Sequence, residues 1–324
     1  MRIEQGAASQ LDRRDVEQLL EGYSVGRFCE DRTVDLADAR RYVAHLTMDA
    51  AQGAGRRYCL ARSDDGLVLG LLLFGLSDWD TGHFGFPYAG LNFFSLRPEA
   101  SDGEAALALL DVLDAWCADN AVRFLSCKLP ALALDEIHAL EERGFGYVEN
   151  SLYNMVSLRG PEDGDRDLPT LRLAGPEDAP VMVEYAKGAF SSQRFYADRN
   201  FDRAKADSLY ERWIYSSFDS EDMRTLVLDV EGEPGAFMMY LPMDLREYFG
   251  FRTAKWEMAV VGPALRGQGL GTTFFQALLR THREQGFDRV DSILTLRNLH
   301  SLNLHNKLLF KGLSVEVTLH RWSG

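Results

Sequence analysis

Apolar positions along this chain follow two periods. Runs that alternate every second residue, or stay apolar for four to eight residues between turn signals, predict strands at 67–76, 121–127, 170–173, 224–230, 235–241, 253–261, 289–294 and 314–320. A spacing of three to four predicts helices at 104–119, 176–190 with Pro176 at its start, 202–218, 269–285 and 298–310. In the helix at 269–285, Leu270, Phe274 and Leu278 recur every four residues with Phe275 and Leu279 beside them, a stripe that must face a core. The longest apolar run, 67–76, is too short to cross a bilayer and reads as a buried strand broken by Gly70.

The pattern also repeats. Pro98 and Pro263 lie 165 positions apart, as do Phe145 and Phe310. At that one ungapped shift the helix at 104–119 overlies the one starting near Gly269, the strand at 121–127 overlies 286–292, and ALEERGF overlies LHNKLLF. A turn, a helix, a strand and a second helix in one register predict two domains of one kind in tandem. The 324 residues fit two domains of about 150 each. The boundary falls in 159–169, RGPEDGDRDLP, a polar stretch with Gly, Pro and alternating charge that reads as an exposed linker, so the expected division is 1–160 and 161–324.

Composition, 46% hydrophobic and 26% charged, is that of a globular chain, and the net charge of −14 argues against nucleic-acid or anionic-membrane partners. Cys29, Cys59, Cys117 and Cys127 form no CxxC pair and no metal-ligand spacing, so neither a disulfide framework nor a metal is expected. Reduced thiols, and a start without the apolar core of a signal peptide, fit a cytoplasmic protein. An anionic ligand would need a local device in so acidic a chain.

Residues 260–272, VVGPALRGQGLGT, are such a device. A strand runs into a turn with Gly267, Gly269 and Gly271, whose backbone freedom lets successive N–H groups converge on one anion, and a helix N-terminus follows. Arg266 adds a cation. A tight turn without a ligand is the competing reading. The spacing lacks the Gly-Lys-Ser/Thr ending of nucleotide triphosphatases and the GxGxxG of dinucleotide folds. Downstream, 298–310 reads NLHSLNLHNKLLF.

Strand, Arg-x-x-Gly-x-Gly, helix, strand and an Asn-led helix resembles the acetyl-CoA-binding half of the GNAT superfamily of N-acetyltransferases. Val261, Pro263, Arg266, Gly267, Gly269 and Gly271 match the family pattern V-x-P-x-x-R-G-x-G-x-G, and Asn298, Ser301, Leu304 and Phe310 match its second part; His305 stands where Tyr is usual and Leu309 where Gly is usual. The resemblance implies two tandem α/β GNAT domains, each a mixed, mostly antiparallel sheet flanked by helices. It implies acetyl-CoA as acyl donor, with no metal. Its contacts would be Ala259, Val260 and Val261 on the strand, Arg266, Gly267, Gln268, Gly269, Leu270, Gly271 and Thr272 in the cradle, and Asn298 and Ser301 on the last helix.

Acetyl transfer requires a neutral amine, a polarised thioester carbonyl and a proton for the departing thiolate. His305, in the Tyr slot, is the candidate acid, against a reading as a hydrogen-bonded structural histidine. Glu257, which shares a strand face with Ala259 and Val261, is the candidate base, against a simple ion pair with Lys255 or an arginine. The acceptor is a small-molecule primary amine. Around 189–218, Arg194, Phe195, Tyr196 and Asp198 are similar to dTDP-fucosamine N-acetyltransferases, which implies Arg194 on a sugar-nucleotide phosphate and Phe195 or Tyr196 stacked on a ring. An amphipathic helix pair with core aromatics is the other reading. A tandem enzyme acting on an aminothiol, as in the two-repeat mycothiol synthases, or on a peptide or antibiotic amine, and a non-catalytic acetyl-CoA-binding module, are the alternatives.

The first copy lacks this chemistry. SDGEAA stands opposite RGQGLG, Ala133 opposite Asn298 and Leu140 opposite His305, so 1–160 is expected not to bind acetyl-CoA in the usual place. Its aromatic segment 79–91, WDTGHFGFPYAGL, is read as strand and core, or as the lining of an acceptor cleft.

Overall fold

The computed structural model describes residues 1–100, 103–160, 167–265 and 270–323. In chain order the elements are β1 (Arg2–Ala7), α1 (Arg13–Leu20), α2 (Leu36–Ala51), β2 (Arg57–Arg62), β3 (Val68–Leu76), α3 (Asp78–Phe84), β4 (Tyr88–Leu96), α4 (Glu104–Asp119), β5 (Phe124–Pro130), α5 (Leu134–Glu142) and β6 (Gly146–Ser157). They continue as β7 (Arg172–Leu173), α6 (Ala179–Ala186), α7 (Arg194–Ala197), α8 (Arg203–Phe218), β8 (Arg224–Val230), β9 (Glu233–Asp244), α9 (Arg246–Phe249), β10 (Arg252–Val261), α10 (Leu270–Glu284), β11 (Arg289–Thr295), α11 (Leu299–Lys307) and β12 (Lys311–Trp322). The chain divides into two compact units, Met1–Ser151 with Ser314–Gly324, and Leu152–Leu313. The C-terminal segment thus counts with the first unit, which its sequence does not indicate.

In the first unit β1 to β4 pair antiparallel, β4 and β5 pair in parallel, and β12 returns antiparallel to β5 from Glu316↔Pro130 to Trp322↔Phe124. In the second, β7 to β10 are antiparallel and β10 and β11 parallel. Asp202 caps α8 by accepting from the Lys205 N–H, and Asn298 caps α11 by accepting from the Ser301 N–H, which satisfies donors that a helix start leaves open. Of the predicted stripe, Phe274 and Leu278 are fully enclosed, with Phe275 beside them and Leu279 at the margin of the same core, while the Leu270 side chain lies outside the described residues. That core is closed by Trp256, Tyr240, Val290 and Phe310.

The repeat is present in the elements themselves. β5 and β11, α5 and α11, and β6 and β12 begin and end 165 positions apart. The turns obey the same shift. Among the described residues the non-glycines with positive φ are Ala121 (49°), Glu231 (55°) and Leu309 (63°), and their counterparts are Gly286 (77°), Gly66 (91°) and Gly144 (80°). Each left-handed turn is therefore set by the backbone path of the fold, and one copy has lost the glycine that suits it.

Several expected spans end elsewhere. The helix at 176–190 is a 3-10 turn, Pro176–Asp178, followed by α6, which stops at Ala186; Gly188 then takes φ 69° and turns the chain away. The strand at 121–127 starts at Phe124, because Ala121 is in a left-handed turn. Gly70 does not break β3. In segment 79–91 the first residues form α3, capped by Ser77, and the aromatics stack on one another, Trp79 on His83 at 5.7 Å and Phe84 on Tyr88 at 5.9 Å.

Behind Trp256 a polar chain runs from buried His282 and Tyr240 out to the exposed Gln285. The indole N–H donates to His282 Nε2 at 3.0 Å, so His282 carries its proton on Nδ1, 3.3 Å from Gln285 Oε1, which also accepts from the Tyr240 hydroxyl at 3.2 Å. Burial pushes the His282 pKa down to about 4.

Two outcomes follow from these features. Leu309 is exposed, so Leu309→Gly loses no packing and relieves about 1–2 kcal/mol of left-handed strain against about 0.4–1 kcal/mol of added unfolded-chain entropy. Denaturant unfolding should show a gain of up to about 1.6 kcal/mol, and Gly144→Leu should show a loss. His282 binds a proton more readily unfolded, about 6.5, than folded, so stability should fall as pH drops from about 6.5 to about 4, by about 3 kcal/mol from this residue. Unfolding curves across that window should flatten in His282→Gln; an unchanged slope would contradict the assignment.

Candidate active site

The site begins with a strand irregularity. β10 pairs with β9 from Arg252↔Asp244 to Val261↔Ala236, but the register shifts between Trp256 and Met258, leaving Glu257 as the extra residue of a bulge. On its other edge β10 pairs with β11 only from Thr253↔Arg289 to Trp256↔Ser292. From there the two strands part. The splay opens a cavity of about 780 Å³ walled by 256–261 of β10 and 292–295 of β11.

Backbone polarity in the splay follows from the register. The Gly262 N–H donates to the Gly235 carbonyl at 2.8 Å, so Val260 and Met258, two and four residues back, also turn their polar groups toward β9. Ala259 therefore points its N–H and C=O the other way, into the cavity, on the strand edge where a carbonyl or amide of an extended ligand can be met. The first turn of α10 reaches the same space through Gly271 and Thr272, and α11 contributes Asn298 and Ser301. Arg266, Gly267, Gln268 and Gly269 lie outside the described residues, as does the side chain of Leu270.

Glu257 faces the cavity and forms an ion pair with Lys255, Nζ to Oε1 at 2.5 Å. Burial alternates along β10, with Lys255, Glu257, Ala259 and Val261 half-buried and Trp256, Met258 and Val260 buried, which puts Glu257 on the face expected from its spacing. Glu257 is thus a carboxylate at the cavity wall and at the same time the ion-pair partner of Lys255.

His305 also lines the cavity but from its interior side, 5% exposed, packed against Phe310, Trp256 and Phe275 with centroids at 4.6, 6.0 and 6.3 Å. Its Nδ1 lies 2.8 Å from the Ser301 carbonyl and its Nε2 lies 3.0 Å from Ser292 Oγ. Burial pushes its pKa below the usual histidine value, outweighing the Ser301 contact, so the ring is neutral at pH 7. At rest the ring is therefore not a standing imidazolium acid.

The acceptor-side segment is placed differently from expectation. The cavity receives Gly188, Ala189, Phe190 and Gln193, and not residues 194–196. Phe195 is buried edge-on to Phe201 at 5.1 Å, Arg194 lies over the Phe195 ring at 4.6 Å, and Tyr196 holds Asp207 through its hydroxyl at 2.5 Å. Phe195 is thereby corrected from a stacking surface to a core residue. Ser292 escaped the sequence reading altogether; the one available signal was a polar residue on the apolar side of β11, between Val290 and Leu294.

The first unit repeats the splay and fills it. β4 carries its own register shift, with Asn92 as the extra residue, and pairs with β5 only as far as Leu91↔Cys127. There the carboxylate of Glu136, the counterpart of Ser301, accepts from the Leu96 N–H at 2.8 Å. Burial raises the Glu136 pKa.

Comparison with known proteins places this geometry. Residues 189–310 match the acetyltransferase (GNAT) family. The spore coat polysaccharide biosynthesis protein SpsD of Bacillus subtilis (strain 168) is 20% identical over 203 residues, 62% of this chain and 67% of SpsD. A tandem GNAT protein from the clavulanic acid biosynthesis pathway matches in fold with a TM-score of 0.61 at 16% identity, over 100% of this chain and 99% of that one. A GCN5-related glucosamine N-acetyltransferase region of a fungal multi-domain β-N-acetylglucosaminidase matches with a TM-score of 0.66 at 12% identity, over 99% of this chain and 38% of that one. The chain has a tandem GNAT fold, residues 189–310 carry the GNAT sequence pattern around the splayed strands, and the protein is an acyltransferase.

Proposed function

We propose that the second unit transfers an acetyl group from acetyl-CoA directly to the primary amine of a small molecule, and that the amine belongs to a nucleotide-linked amino sugar. The observation that carries the reading is the splay of β10 from β11, whose cavity of about 780 Å³ is within the range of small-ligand sites and brings a strand-edge backbone, a helix N-terminus and a carboxylate to one place. These features fit acetyl-CoA. The Ala259 backbone, Gly271 and Thr272 at the start of α10 with the glycine-rich turn before them, and Asn298 and Ser301 would hold it, and when bound it supplies an activated acyl carbon.

The chain's own residues account for the remaining requirements. Glu257 takes the proton that an incoming ammonium must lose, and Lys255 orients the carboxylate. The backbone of Ala259 polarises the acyl oxygen without reorganising. Phe190 and Gln193 border the acceptor, in place of Arg194, Phe195 and Tyr196. The amino-sugar acceptor draws its support from two relatives, SpsD with its role in polysaccharide biosynthesis and the fungal glucosamine N-acetyltransferase region. The first unit is assigned no acetyl-CoA site, because Glu136 already supplies the partner that the Leu96 amide would offer a ligand.

Thiol release from acetyl-CoA over a panel of amines that includes amino-sugar nucleotides tests the activity. Turnover is expected on an amino-sugar nucleotide, with kcat reduced by about 10²-fold or more in Glu257→Gln; cofactor binding without turnover on any amine would sink the reading, and a Glu257→Gln pH profile equal to wild type would remove Glu257 from it. Calorimetry should count one acetyl-CoA per chain. A stoichiometry of two would contradict the assignment of the first unit.

A further inference from the structure

His305 and Ser292 are joined in a way that fixes which atom holds each proton. A carbonyl oxygen only accepts, so the 2.8 Å contact with Ser301 puts the His305 proton on Nδ1. In a neutral ring Nε2 is then an acceptor, and at 3.0 Å it receives the Ser292 hydroxyl proton. The aromatic rings packed on it among the described residues, from β10, α10 and the chain after α11, are Trp256, Phe275 and Phe310. Ser292 is the last β11 residue paired with β10 before the strands part, and it lines the cavity. In the first unit the same two positions hold Cys127 and Leu140, so the pair accompanies the open splay and is missing where the splay is filled.

We propose that Ser292 and His305 form a proton shuttle at the floor of the splay, with Ser292 the catalytic residue that touches the reacting atoms and His305 the store behind it. The proposal rests on the acetyl-transfer reading. As the amine nitrogen bonds the acyl carbon, a nitrogen proton passes to Ser292 Oγ while the Ser292 hydroxyl proton moves to His305 Nε2. As the carbon–sulfur bond breaks with its electron pair on sulfur, the proton returns from Nε2 through Ser292 to the thiolate. One proton has travelled from nitrogen to sulfur, nothing has been oxidised, and both side chains end as they began. Glu257 has a separate task, neutralising the ammonium before attack. The arrangement also explains how a neutral, buried histidine serves where Tyr is usual: the hydroxyl that meets the sulfur is carried by β11 instead of by the helix.

The test uses the full chain. Ser292→Ala and His305→Phe should each lower kcat by about 10²-fold, the double variant should lose no more than the worse single, and acetyl-CoA affinity by calorimetry should stay within about twofold. Ser292→Thr, which keeps a hydroxyl, should recover activity to within about tenfold of wild type and guards against a folding defect in the alanine variant. A readout independent of turnover is the nitrogen NMR of His305, expected to show the Nδ1–H tautomer at neutral pH and a shifted Nε2 resonance in Ser292→Ala. Wild-type kcat in Ser292→Ala, or an Nε2–H tautomer in the wild type, overturns the shuttle alone. Wild-type protein that binds acetyl-CoA and turns over no amine overturns the acetyl-transfer reading and the shuttle together.

Discussion

The parting of β10 from β11 is the constraint on which the rest of the second unit depends. Parallel strands that remain paired consume every N–H and C=O between them, and such a sheet offers a ligand nothing along its interior. Here pairing ends at Trp256 and Ser292, one residue before the Glu257 bulge. A bulge adds twist and re-aims a strand. The consequence is a cavity whose walls are sheet backbone, which is stiffer than a loop and costs no ordering when a ligand arrives. The aromatic core beneath keeps it open, with Trp256 held edge-on to Phe275 at 5.4 Å and through its indole N–H to His282.

The two units solve the same backbone problem with different side chains. Both carry a bulge at matching positions and both end their parallel pairing at matching residues, since 91 and 127 stand 165 before 256 and 292. In one, a serine at position 301 leaves the cavity open; in the other, Glu136 reaches across and accepts from the Leu96 N–H. A buried amide requires a partner, and an internal carboxylate is one that does not dissociate. Duplication followed by filling of one cleft is a physical route from two equal domains to one cleft and a folded companion.

Much of this was legible beforehand. β8 matches the predicted 224–230, β10 the predicted 253–261 to within a residue, and the Phe274, Phe275, Leu278 stripe is buried where its period puts it. The 165-residue shift, first seen in a few matching residues, recurs in whole elements and in the left-handed turns. Helix ends were less legible: α6 stops at Ala186, and it is this early stop that sends Gly188 to Phe190 into the cavity. Local propensity carried the chain on to residue 190 because nothing in Ala189 or Phe190 opposes a helix; the turn at Gly188 decided otherwise.

By itself the sequence determined the class of fold and the repeat, because each is written in residues that are neighbours along the chain or share a fixed spacing. Only the tertiary structure decided which side chains meet: that His305 faces Ser292 and is neutral, that Phe195 is core while Gln193 borders the cavity, and that Glu136 closes the first cleft. These outcomes depend on distances between strands and helices far apart in sequence, and on the burial they create, and no local pattern encodes either quantity.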